Sequence, residues 1–144
     1  MMHTYIDNSV LAAFYASEPL SAEVIEILTS ASIDPAVSNL TEVEFFSAIA
    51  KKLRTGEIDA VTAKRIRQRF VSHLEDFLYS RLPLRTSHFR LATNWLSDAG
   101  PALATLDALH IAAACFDDRR LLTADQGQAK AARELGVEVE LLGG

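Results

Sequence analysis

The stretch Thr105-Leu-Asp-Ala-Leu-His-Ile-Ala-Ala-Ala-Cys-Phe-Asp-Asp-Arg-Arg-Leu-Leu-Thr-Ala-Asp125 decides how the chain folds. Thr105 opens an alanine-rich helix that runs to about Phe116, and Arg120-Leu-Leu-Thr123 is a short β-prone run. After Asp125 a further helix spans Gln126 to Leu135 and is ended by Gly136. A short strand with helices before and after it is the unit of an α/β fold, whose right-handed crossovers produce a mostly parallel sheet covered on both faces.

The same alternation extends outward. Val137-Glu-Val139-Glu-Leu141 alternates as a final strand. Upstream, Thr86/Ser87 caps a helix through Phe89, Leu91 and Trp95 that stops before Asp98-Ala-Gly100-Pro101, and Tyr79 to Leu84 is a candidate strand. Thr62 to about Leu78 is a basic helix striped by Ile66, Phe70, Leu74 and Phe77. Thr41 to about Arg54 is a helix carrying Val43, Phe46, Ile49, Ala50 and Leu53 at helical spacing, closed by Gly56. Ala36-Val37-Ser38 after Pro35 is a short buried strand. Ser21-Ala-Glu23 restarts a helix with Val24, Ile27 and Leu28 on one face, after Pro19 interrupts the one through Val10-Leu11-Ala-Ala-Phe14-Tyr15. His3-Thr-Tyr-Ile6 opens the chain as a strand, ended by Asp7-Asn8-Ser9, whose side chains favour turns and N-caps.

With 144 residues, 49% of them hydrophobic, and neither repeat nor linker, the expectation is one globular domain over residues 1–144. The lone Cys115 has no internal disulfide partner, and its apolar run Ile111-Ala-Ala-Ala-Cys115-Phe116 suggests a buried thiol in a reducing compartment. No run approaches the ~20 apolar residues of a membrane span, and the first residues lack the basic start and apolar core of a signal peptide, so the cytoplasm is the expected location. The net charge of −5 by itself argues against a nucleic-acid partner. Charge is unevenly spread, however. Residues 51–90 hold ten basic and four acidic side chains, a local +6, leaving −11 on the rest. Within that segment Lys51, Lys52, Arg54, Arg65 and Arg69 either form a solvated helical face or track a phosphate backbone.

Four carboxylates fall where strands hand over to helices: Asp7, Glu44, Asp107 and Asp125. Each has a plain structural role open to it. Asp7 and Asp125 suit N-caps, Thr41-Glu-Val-Glu44 has the form of a capping box, and Asp107 suits the positive end of a helix dipole. Jointly, four acids at the carboxyl edge of one sheet would repel one another and raise each other's pKa unless a cation neutralised them. Hard oxygen donors without a His/Cys cluster select Mg2+ or Mn2+ over zinc. His110, on the same helical side as Asp107, is either a further ligand or a core histidine. Such a site supports phosphodiester hydrolysis. Ser9 and Thr123, two residues from Asp7 and Asp125, are the hydroxyls placed to orient carboxylates or water, unless they serve only as turn residues. Tyr79, Phe89 and Trp95 are aromatic candidates for stacking on bases, and equally candidates for the core.

The runs Tyr5-Ile-Asp7-Asn-Ser9-Val-Leu, Val43-Glu44-Phe-Phe-Ser-Ala48-Ile, Thr105-Leu-Asp107-Ala-Leu-His110-Ile-Ala-Ala and Leu121-Leu-Thr123-Ala-Asp125 resemble those of PIN-domain ribonucleases, and in size the chain is similar to VapC, the toxin of VapBC toxin–antitoxin modules. The resemblance implies a three-layer α/β/α fold, with Asp7, Glu44, Asp107 and Asp125 as the metal pocket and Ser9 and Thr123 in support. It implies Mg2+- or Mn2+-dependent cleavage of RNA, a homodimer, and inhibition by a small VapB-like antitoxin. Asn8 departs from the threonine that often follows the first aspartate in the family. Glu42 is the alternative second acid, but a helix turns about 200° over two residues, so it and Glu44 cannot share a face. Other functions remain open on sequence grounds: an RNA-processing nuclease outside any toxin module, a catalytically silent PIN-like binding module, and phosphoryl transfer through an aspartyl-phosphate on Asp7. The last would want a second aspartate where Ser9 stands.

Overall fold

Alternating side-chain direction along two central strands organises the molecule. In the computed structural model, which describes residues 1–98, 100 and 102–143, the chain runs β1 (Met2–Ile6), α1 (Asn8–Tyr15), α2 (Ser21–Leu28), β2 (Ile33–Ser38), α3 (Asn39–Arg54), α4 (Ala60–Glu75), β3 (Ser80–Leu82), α5 (Thr86–Ser97), α6 (Thr105–Phe116), β4 (Arg120–Thr123), α7 (Gln126–Glu134), β5 (Val139–Leu141). The five strands form one sheet in the order β3-β2-β1-β4-β5, and every pairing is parallel. Successive residues of a strand face opposite ways. Ile6 and Leu122 therefore join Val10, Leu11, Phe45, Ile49 and Phe70 in a core under α1 to α4. Tyr5 and Leu121 face the other layer, where Ile111, Ala113, Ala114, Ala131 and Ala132 cover them from α6 and α7. The result is the expected three-layer α/β/α arrangement with a parallel sheet.

Several expected details shift. Pro35 lies inside β2 instead of ahead of it. It is accommodated because β3 pairs only from Ala36 onward, so at Pro35 that side of β2 has no neighbour needing an N–H. The helix expected from Thr41 begins at Asn39, with Ser38 as N-cap and Thr41 closing the capping box. Its buried stripe is Thr41, Phe45 and Ile49, while Val43 is 67% exposed. α5 is not capped by Thr86 or Ser87, which are already helical; His88 Nδ1 instead accepts the Arg85 N–H at 2.9 Å. That helix ends at Ser97, and of the expected stop signal Ala99 and Pro101 lie outside the described residues. Cys115 is exposed, not buried: α6 turns Ile111 to Ala114 into the core, and Cys115 and Phe116, the next two residues, are on its exposed side. Of the three aromatic candidates, Tyr79 is buried, Trp95 packs against the α6/α7 core, and Phe89 is half-exposed. No helix among the described residues is long and apolar enough to cross a membrane.

α4 ends at Glu75, so Phe77 does not continue its stripe. The Leu78 N–H bonds to the His73 carbonyl at 3.0 Å and the Phe77 N–H to that of Leu74 at 3.2 Å, with Phe77 left-handed at φ 57°. This is the helix stop that ordinarily employs glycine, here built on a phenylalanine that is 89% exposed. The ring contributes almost no burial, while a side chain in this backbone region costs about 1–2 kcal/mol. Phe77→Gly is therefore expected to stabilise the protein by about 1 kcal/mol, read as a higher denaturation midpoint in urea with an unchanged slope; a lower midpoint would show that Phe77 makes a stabilising contact.

Candidate active site

The carboxyl ends of β1 and β4 lie side by side, and Asp7 is held between them. Its N–H bonds to the Leu122 carbonyl at 3.1 Å, and its side chain caps α1. One carboxylate oxygen, Oδ2, accepts from the Ser9 N–H (3.2 Å), the Ser9 hydroxyl (2.6 Å) and the Thr123 hydroxyl (3.2 Å). The Ser9 hydroxyl in turn accepts from the Ala124 N–H at 3.0 Å, and that of Thr123 from the Asp125 N–H at 3.1 Å. Both hydroxyls are thus donor and acceptor at once, and together they staple the β4 turn to Asp7. At 7% exposure Asp7 is a buried carboxylate whose Oδ2 is fully engaged. Oδ1 lies 3.6 Å from His110 Nε2, too far for a hydrogen bond.

Glu44 sits in the second turn of α3, one turn later than its reading as part of a Thr41 capping box required, because the helix starts two residues earlier. Its Oε1 accepts a short hydrogen bond from His110 Nε2 on α6. Glu42 faces elsewhere, held by Arg81 Nε and Nη2 at 3.1 and 2.7 Å, which removes it as the second acid. Asp107 lies in the first turn of α6, half-buried, with Oδ1 accepting from Gln128 Nε2 at 3.1 Å. Asp125 is exposed and caps α7 through the Gln128 N–H at 3.0 Å.

Asp7, Glu44 and His110 each present a ligand atom within 4.8 Å of the others. Asp107 and Asp125 stand beside this group and interact through charge. Burial first, then the negative charges of Asp125 and Asp7, hold the Asp107 carboxyl above the ordinary carboxylate value. Burial lowers the pKa of His110, but the hydrogen bond to Glu44 and the charges of Asp7, Glu44 and Asp107 outweigh it, so the net shift is upward. Gln128, almost wholly buried, has its Oε1 without a hydrogen-bond partner while its Nε2 touches Asp107. An orphaned oxygen beside carboxylates that repel one another fits a hard divalent cation better than it fits a self-sufficient polar cluster.

Tyr5 and Gln128 had no place in the sequence-based site. Tyr5 is wholly buried, with its hydroxyl 2.7 Å from His110 Nδ1, 2.8 Å from Ser38 Oγ and 3.0 Å from Thr41 Oγ1. The alternation of β1 was legible, but which layer carried His110 was not.

Of the basic residues, Lys52, Arg65 and Arg69 line one cavity of about 290 Å³ with Tyr15, Ser17, Glu57 and Thr62. Lys51 and Arg54 are exposed and outside it. Lys52 is already paired with Glu18 (2.9 Å) and Glu57 (3.0 Å), and Arg69 lies over the Tyr15 ring at 5.6 Å. The cavity stands at the end of α1 opposite Asp7, a helix length of about 12 Å away.

A family model described as PIN domain matches residues 4–134. No curated protein matches the chain. Among solved structures, FitAcB from Neisseria gonorrhoeae superposes with a TM-score of 0.69 at 19% identity, covering 94% of this chain and 95% of the other. VapBC2 from Rickettsia felis, solved bound to a DNA fragment from its promoter, gives 0.68 at 14% identity over 97% and 98%. Mycobacterium tuberculosis VapC20, described as a sarcin–ricin loop cleaving toxin, gives 0.63 at 14% identity over 82% and 86%. At these identities the likeness is one of fold.

The raised Asp107 pKa fixes the sign of a stability effect. An acid whose folded pKa exceeds its unfolded value destabilises the fold when ionised, and the penalty fades as pH falls through the folded pKa toward the unfolded one. Asp107→Asn, which keeps an acceptor for Gln128, should therefore stabilise the metal-free protein at pH 7, by less than about 1 kcal/mol because the group is half-exposed and screened. The gain should vanish near pH 4, the ordinary aspartate range. Thermal melts of both proteins across that range in chelator check it; a variant less stable at pH 7 would contradict the repulsion.

Proposed function

This chain belongs to the PIN domain family, and on that premise we propose that it is a Mg2+- or Mn2+-dependent endoribonuclease serving as the toxin of a VapBC-type toxin–antitoxin pair. The observation that carries this reading is the buried, hydroxyl-stapled Asp7 with Glu44 and His110 within ligand distance and two further aspartates alongside. Hard oxygen donors and mutual repulsion are what such a cation requires and relieves. Asp7, Asp107 and Asp125 would hold it, and Glu44 would hold a second ion or position the attacking water. A divalent cation bound there polarises the scissile phosphoryl oxygen and lowers the pKa of water.

The chain's own residues supply the rest. Ser9 and Thr123 fix the Asp7 carboxylate by occupying Oδ2, which leaves Oδ1 to face the site. Gln128 steadies Asp107 in the same way. Arg65 and Arg69 would meet RNA phosphates away from the cleavage point, or an acidic stretch of the antitoxin, with Lys51, Lys52 and Arg54 adding to the field. The proposal takes residues 1–144 as a single PIN domain, acting in the cytoplasm as a homodimer with RNA as substrate and a small VapB-like antitoxin as inhibitor. VapC20, of the same fold, is a toxin that cleaves a sarcin–ricin loop.

Incubating the purified protein with total cellular RNA and Mn2+ should give defined fragments, lost in chelator. Asp107→Asn should reduce the rate about 100-fold or more while remaining folded. Cleavage that is indifferent to chelator, or equal in wild type and Asp107→Asn, would defeat the reading.

A further inference from the structure

We propose that Tyr5 and His110 are positioning residues: Tyr5, itself fed by Ser38 and Thr41, keeps a proton on His110 Nε2, so that the ring donates to Glu44 and does not serve as a metal ligand. The inference rests on the nuclease reading for its catalytic consequence, though not for its geometry.

The proton on Nε2 is set first by Glu44, whose carboxylate can only accept. The Ser38 N–H donates to Thr41 Oγ1 at 3.3 Å, and the Thr41 N–H donates to Ser38 Oγ at 3.2 Å. Each hydroxyl oxygen is thereby an acceptor, and the two hydroxyls lie 3.2 Å apart, so at least one O–H is left to turn toward the Tyr5 oxygen at 2.8 or 3.0 Å. With that donor arriving, the phenol directs its single O–H at His110 Nδ1, 2.7 Å away. A neutral ring that accepts at Nδ1 carries its proton at Nε2, facing Glu44 Oε1. A doubly protonated ring also carries a proton there, with Tyr5 then donating back to Ser38 or Thr41. Only the opposite neutral tautomer would free the Nε2 lone pair for a cation. It would set that lone pair against the Glu44 carboxylate and send an N–H into a phenol oxygen that already accepts from the Ser38–Thr41 pair.

This separates two roles that proximity alone leaves merged. Asp7, Glu44 and His110 form a ligand-spaced trio, but a nitrogen already bearing a proton has no lone pair to offer. His110 instead acts on Glu44, fixing one carboxylate oxygen and leaving the other to the site. The connection also joins the two helical layers, since Glu44 is on α3, His110 on α6 and Tyr5 on the sheet between them.

The test reads the proton directly. Long-range 1H–15N spectra of the wild-type protein should show His110 protonated at Nε2, both alone and with Mg2+ added, and Glu44→Gln should shift that proton's resonance. An unprotonated Nε2, or one that loses its proton on adding Mg2+, would overturn the proposal. Tyr5→Phe should admit the other tautomer in the spectrum and lower kcat for RNA about tenfold at unchanged KM; an unaltered spectrum and rate would remove Tyr5 from the role. His110→Ala should weaken Mn2+ binding by calorimetry about 10- to 100-fold, and His110→Gln, which retains an N–H donor, should recover most of it. Equal losses in both variants would mark the ring as a ligand. The spectra and calorimetry involve no RNA, so a wild type that cuts nothing while holding the Nε2 proton would sink the nuclease reading and leave this one standing.

Discussion

Repulsion among carboxylates gathered at one sheet edge is the constraint to which the rest of the structure answers. Burying Asp7 at the end of the central strand is costly unless its charge is satisfied. Three hydrogen bonds converge on one of its oxygens, two from hydroxyls that are themselves anchored by backbone N–H groups of the neighbouring turn. The solution is local and satisfies Oδ2 of Asp7, leaving Oδ1 open to the site. It is incomplete for Asp107, whose carboxyl is held above its ordinary range by burial and by its acidic neighbours. The unrelieved negative charge is thus concentrated at this edge, while other buried polar side chains, such as those of the Tyr5–Ser38–Thr41 and Tyr15–Tyr79–His73 clusters, hydrogen-bond to one another.

Topology explains why that place is where it is. From β1 the chain builds outward through β2 to β3, then returns to the other side of β1 for β4 and β5. The reversal falls between β1 and β4, and at such a switch point the crossover connections leave in opposite directions and open a crevice beyond the strand ends. Asp7 and Thr123 flank it from the two strands, Glu44 reaches it from the layer of α1 to α4, and Asp107 and His110 reach it from the layer of α5 to α7. The short His110–Glu44 hydrogen bond is therefore a tie between layers as much as a feature of the site.

The carboxylates were legible because strand-to-helix punctuation is local. Asp7, Asp107 and Asp125 each follow from a β-prone run, a capping residue and the start of an apolar period, and they stand where that grammar put them. Glu44 stands beside Asp7 and His110 but was set one turn too early, since Ser38 reads as the end of a strand and gives no sign that it also caps the helix. The errors share a cause: they depend on where an element stops relative to its neighbours. Phe77 continues a helical stripe in sequence, yet the helix ends two residues before it in a left-handed turn. Cys115 sits in an apolar run whose burial stops at Ala114. Tyr5 alternates properly within β1, but its partners Ser38, Thr41 and His110 are 33, 36 and 105 residues away, and nothing local announces them.

Charge distribution closes the account. The −5 of the whole chain divides into +6 over residues 51–90 and −11 elsewhere, yet the fold spends part of that +6 internally: Lys52 on Glu18 and Glu57, Arg81 on Glu42. Arg65 and Arg69, side by side one turn apart on α4, are what remains at the cavity. An anionic chain approaching the metal-free molecule would meet a repulsive edge at Asp7 and an attractive patch a helix length away. On the proposed reading, one or two divalent cations would offset two to four of the negative charges at the first without touching the second. Salt, by contrast, screens the exposed arginines far more than the buried edge. On the proposed reading, metal and ionic strength would therefore act on separate places a helix length apart, and their effects on the affinity for an anionic chain should combine nearly independently.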